Sequence, residues 1–201
     1  KPSILRDEKG KKKGIEFHSA AIGIALERAG VMVGNKTMQV CHAPDVILSA
    51  ERKMKISYMS RTAKDEGNAD LYRTTYSRAT TLERLLSNKH KETLKALDWE
   101  VKRLPSGYIE HYVTMTKDTR AELGSDLSNL LYESSKPPIL EEERHILNEL
   151  FGFEAKLEPS QIYWTKKKGY RVSWRIQVSG KENCTRLIRG LNLKTERRPT
   201  E

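Results

Sequence analysis

Three features of the sequence predict an α+β fold in which an antiparallel sheet carries helices on one face. The first is alternation. Tyr170, Val172, Trp174, Ile176 and Val178 are apolar, and Arg171, Ser173, Arg175 and Gln177 between them are polar. An unbroken period of two reads as a strand with one buried and one open face. The second is the run that follows. Ser179-Gly180-Lys181-Glu182 has the spacing of a capping box, and Cys184, Leu187, Ile188 and Leu191 recur at helical intervals. The third is order. Helix end, strand, turn, strand and capped helix are read over Leu94 to Leu130 and again over Leu147 to Leu191.

The remaining elements follow along the chain. Residues 1–13 are polar and lysine-rich and are expected to form a flexible basic arm. Phe17, Ala20, Ala21, Ile24 and Ala25 have helical spacing up to Gly30, and Val31 to Val40 is β-rich about a Gly34-Asn35 turn. Met54, Ile56 and Tyr58 alternate with Lys55 and Ser57, which predicts a half-buried strand. Lys64 to Asp70 reads as a polar boundary loop. Thr80 to Leu97 has a helical composition, with Leu82, Leu85, Leu86, Leu94 and Leu97 as its apolar stripe and Ser87-Asn88 as an interruption.

Glu100 to Leu104 and Tyr108 to Thr116 read as strands about a Pro105-Ser106-Gly107 turn. Thr119 and Glu122 have the spacing of a capping box for a helix that buries Leu123, Leu127, Leu130 and Leu131. Pro137-Pro138 separates it from a helix carrying Leu140, Ile146, Leu147, Leu150 and Phe151, which Gly152 ends. Strand segments within Phe153 to Trp164 lead to the basic turn Lys166-Lys167-Lys168-Gly169. The chain is thus divided into the arm (1–13), an N-terminal α+β module (14–78) and a C-terminal α+β domain (79–201).

Charge narrows the function. Lys plus Arg number 37 against 27 Asp plus Glu, a net charge of +10. Residues 1–13 hold six positive and two negative side chains, and residues 160–201 hold eleven and three. The body between them is close to neutral. Two basic ends on a neutral body point to a polyanion partner, nucleic acid above all. No apolar run approaches the ~18 residues of a membrane span. Cys41 and Cys184 are distant, sit in apolar contexts and form no CxxC pair, as expected of reduced core residues in an intracellular protein. No signal peptide is visible and the sequence starts at Lys1, which reads as a fragment or processed piece, part of a larger polypeptide or assembly.

Several chemistries lack their motifs. GxGxxG, Walker and GxSxG sequences are missing. His18, His42, His90, His111 and His145 have no metal-ligand spacing, and His42 beside Cys41 lacks two further zinc ligands. Pro44-Asp45 with Glu51-Arg52-Lys53 has the outline of a PD-(D/E)xK nuclease, but six residues is a short gap for the hairpin that presents such groups, and Glu100-Val101-Lys102 and Glu154-Ala155-Lys156 repeat the ExK by chance. Tyr72 to Arg78 mixes arginines, hydroxyls and aromatics, as phosphate-contacting segments do and as an ordinary helix start also does.

The element order, with Glu149-Leu150-Phe151-Gly152-Phe153-Glu154-Ala155-Lys156 and Gly169 to Leu191 (GYRVSWRIQVSGKENCTRLIRGL), resembles LAGLIDADG homing-endonuclease domains of the intein-borne type. The order matches over residues 80–198 and the text over 147–198. The resemblance implies a fold that lays a twisted sheet on double-stranded DNA. It also implies either an endonuclease needing Mg²⁺ or a degenerate form kept for binding. The hallmark helix is replaced by Leu94-Lys95-Ala96-Leu97-Asp98-Trp99-Glu100, without small-residue packing or an Asp-Gly end, and no splicing residues are present. On the resemblance, Asp98 is the candidate metal ligand, and Asp98 and Glu100 are the candidate catalytic acids, though residues two apart do not share a helix face.

The candidate interface is clearer. Arg171, Ser173, Arg175 and Gln177 stand on one strand face, spaced by about 6–7 Å, where Arg suits guanine and Gln suits adenine. Lys166, Lys167 and Lys168 at the turn, Lys11, Lys12 and Lys13 in the arm, and Arg197 and Arg198 near the end are placed to meet phosphates. DNA is the favoured partner. The rival expectation is a non-catalytic RNA- or DNA-binding component of a ribonucleoprotein or replication assembly.

Overall fold

The computed structural model describes residues 41–103, 107 and 109–195, the strands Ser3–Arg6 and Lys12–Glu16, and the helical positions Ile24, Ala25 and Arg28. The fold is α+β. Strands β1 (Ser3–Arg6) and β2 (Lys12–Glu16) pair antiparallel as a two-stranded sheet of their own. The arm expected to be flexible therefore contains paired strands. The helix and β-rich run expected between residues 17 and 40 lie outside the described residues, save the three helical positions.

Among the described residues the main sheet has six strands in the order β3-β4-β8-β7-β6-β5, every neighbouring pair antiparallel. They are β3 (Gly67–Ala69), β4 (Arg73–Thr81), β5 (Glu100–Arg103), β6 (Ile109–Thr114), β7 (Lys156–Thr165) and β8 (Gly169–Ser179). Helices α1 (Asp45–Leu48), α2 (Arg52–Glu66), α3 (Asn88–Lys95), α4 (Lys117–Asn129), α5 (Pro138–Phe151) and α6 (Lys181–Leu191) complete the body, with a π-helical turn at Leu130–Ser134 after α4. The even-numbered side chains of β8 from Tyr170 to Val178 form one apolar cluster with Met59 of α2, Leu94 of α3, Leu127 of α4, Ile146 of α5 and Leu187 of α6. The helices thus cover the face that the alternation marked as buried. The doubled order of helix, two strands and helix is present as α3-β5-β6-α4 and α5-β7-β8-α6.

Four readings of the sequence differ from the structure, the first being the polar loop expected at Lys64 to Asp70, which is instead the end of α2 and strand β3. Residues 54–58 belong to α2, not to a strand, because the buried stripe runs through Lys55, Met59 and Thr62 at i, i+4 and i+7. Two of its three members are polar, so the period was masked. The 80–97 helix is the end of β4, a turn and the shorter α3, whose Ser87 cap accepts the His90 N–H at 3.2 Å. The β-branched threonines 74, 75, 80 and 81 favour the strand. The expected boundary at 78/79 falls inside β4, which pairs with β8 from Arg73↔Ser179 to Thr81↔Arg171. Residues 67–81 therefore belong to the same sheet as the C-terminal half.

Both expected caps also move. Thr116, not Thr119, caps α4 by accepting the Thr119 N–H at 3.1 Å. Gly180 (φ 92) begins α6 with no side-chain cap. Gly152 (φ 64) ends α5 in the left-handed conformation, as expected of a helix-stopping glycine.

The buried layer contains a charged cluster about Glu143. Glu143 of α5 is fully buried, accepting the Tyr58 hydroxyl at 2.7 Å and Arg78 Nη2 at 3.0 Å. It ties α2, β4 and α5 together. Cys184 is buried and donates to the Val178 carbonyl at 3.3 Å, whereas Cys41 is half-buried; neither forms a disulfide. Among the described residues, no helix is long and apolar enough to cross a membrane.

Candidate nucleic-acid interface

The tip of the β7–β8 hairpin is built by Thr165, the three lysines and Gly169. Gly169 has φ +65, a conformation that other residues enter only with strain. Lys166, Lys167 and Lys168 are all exposed, and none makes an ion pair among the described residues. Below them the turn is fixed. The Lys168 N–H donates to the Thr165 carbonyl at 3.2 Å, and the Leu82 N–H donates to the Tyr170 carbonyl at 2.9 Å.

Glu83 closes the base of the tip. Its Oε2 accepts the Tyr170 N–H at 3.1 Å, and its other oxygen accepts Lys91 of α3. The Lys91 hydrogen bond first, and the Tyr170 N–H second, hold the Glu83 carboxyl below the usual range. Its charge is thereby satisfied within the scaffold, leaving three lysine charges presented to solvent by a fixed turn.

The open face of the sheet departs from the expectation. Ser173 is buried, flanked across the ladder by Ala79 and Gln161 and along its own strand by two long arginines. Arg171 Nη2 donates to Glu110 of β6 at 2.9 Å, and both groups are largely buried. Arg175 donates to a single oxygen of Glu158, from Nη2 at 2.6 Å and from Nε at 3.1 Å. Gln177 Nε2 donates to Ser179 Oγ at 3.0 Å. The face that reads from β8 alone as cationic is therefore neutralised by acids from β6 and β7.

Glu158 reaches this face through a β-bulge. The β7–β8 register shifts between Pro159 and Gln161, so Pro159 is buried opposite Trp174 while Glu158 and Gln161 lie opposite Arg175 and Ser173. Strict alternation counted back from the buried Ile162 would place Glu158 in the core. A bulge exchanges the two faces on one side of itself, and Pro159, which has no N–H to donate, is at home there.

Other expected site residues are scattered. Lys12 and Lys13 belong to β2, while Lys11, Arg197 and Arg198 lie outside the described residues. Asp98 is exposed in the connection from α3 to β5. Glu100, on β5, accepts the Tyr112 hydroxyl at 2.6 Å, and that bond is the main reason the Tyr112 pKa is raised. The two acids thus stand on different elements, Asp98 on a solvent-facing connection and Glu100 on β5. Among the described residues, no group of three His, Cys, Asp or Glu side chains is arranged to hold a metal ion. Asp45 and Glu51 are likewise exposed, at the start of α1 and just before α2. The Tyr72–Arg78 segment is largely strand β4; its Arg73 is exposed and its Arg78 is committed to Glu143.

Comparison with protein-family models, curated proteins and solved structures returns no match.

Proposed function

We propose that this chain is a nucleic-acid-binding protein that grips the phosphate backbone with the β7–β8 tip, DNA being favoured over RNA. The observation that carries the reading is the tip itself: three consecutive exposed lysines on a turn braced by Glu83, Gly169 and α3. A fixed array of ammonium groups releases condensed counterions when it meets phosphates, which drives binding without any base contact. The +10 net charge and the basic C-terminal segment act in the same direction.

The doubled helix–strand–strand–helix order supports kinship with LAGLIDADG-type domains and hence a duplex DNA target. The proposed activity is binding, with no hydrolytic step assigned to Asp98 or Glu100. The committed arginines favour backbone recognition over reading of base edges.

Fluorescence anisotropy with labelled duplexes of one sequence, as DNA and as RNA, tests the proposal at about 50 mM salt. Tighter binding to DNA is expected, without Mg²⁺ and with supercoiled plasmid left intact when Mg²⁺ is added. No binding to either duplex would reject it. Tighter binding to RNA would favour a component of a ribonucleoprotein, and Mg²⁺-dependent nicking would restore the endonuclease reading.

A further inference from the structure

The outer edge of β5 is the best remaining candidate for a surface with a partner. All four of its residues, Glu100, Val101, Lys102 and Arg103, are exposed, Val101 at 62%. Among the described residues no strand pairs with this edge, whereas its inner edge pairs with β6. Ile109, at the start of β6 and opposite Arg103, is a second apolar side chain exposed there, at 56%. Open edges invite strand addition, and proteins that avoid it use bulges, prolines or short strands. The opposite edge, β3, is only three residues long and is the blunted one.

The sequence of β5 is self-complementary. Lys102 lies opposite Glu110 and Glu100 opposite Tyr112, so both belong to the open face that carries the Arg171–Glu110 pair. Val101 lies opposite His111, whose ring meets Trp164 at 5.4 Å between centroids, on the helix side. Consider a two-fold axis perpendicular to the sheet and passing through Val101. Each Glu100 then stands opposite Lys102 of the second copy, twice over, and Val101 stands opposite its own counterpart. Glu100 keeps a free oxygen for this, since Tyr112 takes only Oε2. A symmetric pairing of this kind closes on itself and does not propagate.

We propose that β5 is a self-association edge, on which a second copy of this chain adds antiparallel in the Val101-centred register to give a continuous twelve-stranded sheet. The proposal is independent of nucleic-acid binding. The strand is short, so the association is weak and concentration-dependent.

Sedimentation equilibrium of the full chain over about 5–500 µM covers the range expected of so small an interface. The mass should rise from 23.1 kDa toward twice that value. Glu100→Lys and Lys102→Glu each turn both cross-copy pairs into like-charge contacts and should weaken association about tenfold. The double variant E100K/K102E restores opposite charges and should return to within about threefold of the parent.

A mass that stays at 23.1 kDa throughout would overturn the proposal. So would single variants that associate as the parent does, or a double variant no tighter than the singles. Should a charge variant fail to fold, cysteine cross-linking decides. Val101→Cys should form an intermolecular disulfide readily, and Arg103→Cys, held about 13 Å from its counterpart, should not. Equal cross-linking of both, or none at Val101, contradicts the register.

Discussion

Glu83 lies directly beneath Gly169: a Cβ on the glycine would stand 2.5 Å from Glu83 Oε2, the same atom that accepts the Tyr170 N–H at 3.1 Å. Gly169→Ala therefore meets two penalties, a left-handed backbone and displacement of the carboxylate that braces the lysine tip. The left-handed conformation alone costs about 1–2 kcal/mol. Urea unfolding should show at least that loss.

The same carboxylate gives a pH dependence. The folded-state pKa of Glu83 is lowered, chiefly by Lys91 and then by the Tyr170 N–H, from an ordinary value of 4.5. Its contribution to stability is present above that value and is lost as pH falls through the lower folded-state value. Glu83→Gln should thus be less stable than the parent at neutral pH, and the gap should narrow in acid. Paired urea titrations at about pH 7 and pH 3 check the sign.

Glu143 holds the buried layer. Replacing it by Ala leaves Arg78 and the Tyr58 hydroxyl facing each other without their shared acceptor, and breaking a buried ion pair costs about 3–5 kcal/mol. Arg78 retains some exposure, so the lower end is expected. Tyr58→Phe removes one hydrogen bond to a charged group and should cost about 1.5–3 kcal/mol. Burial first, and Glu143 second, raise the Tyr58 pKa well beyond the ordinary 10.0. In an alkaline titration followed by tyrosinate absorbance, this phenol should ionise only as the protein unfolds.

Arg175 and Glu158 should behave as a structural couple. The pair is about one-third exposed, with a relative exposure of 33% for Arg175 and 28% for Glu158. A double-mutant cycle with alanine should give a coupling of about 0.5–1 kcal/mol at low salt. In competition binding with matched and scrambled duplexes, Arg175→Ala should shift both affinities alike. A selective loss for the matched duplex would show that the arginine leaves Glu158 to read a base.

The contrast between Arg175 and Lys167 shows what the sequence could reveal. The alternation over 170–178 and the stripe Cys184, Leu187, Ile188 and Leu191 are local signals, and β8 and α6 follow them closely. Trp174 is buried as its place in the alternation requires. Lys166 to Lys168 are exposed because a basic turn has nowhere else to go. The partners of Arg171 and Arg175 come from Glu110 and Glu158 on other strands, the latter through a bulge that reverses the alternation. Register and bulges are tertiary facts that a one-strand pattern does not contain. Helix α2 was hidden for a different reason: its buried stripe includes Lys55, whose stem is covered while its ammonium reaches Glu149 at 2.9 Å.

The salt dependence of DNA binding with Lys166, Lys167 and Lys168 all replaced by alanine tests the central claim most directly. Each phosphate contact contributes about 0.9 to the slope of log affinity against log salt concentration. The triple variant should remain folded, bind more weakly at low salt, and show a slope shallower by about 2–3 than the parent. An unchanged slope and affinity in a folded triple variant would contradict the claim that this tip meets the phosphates.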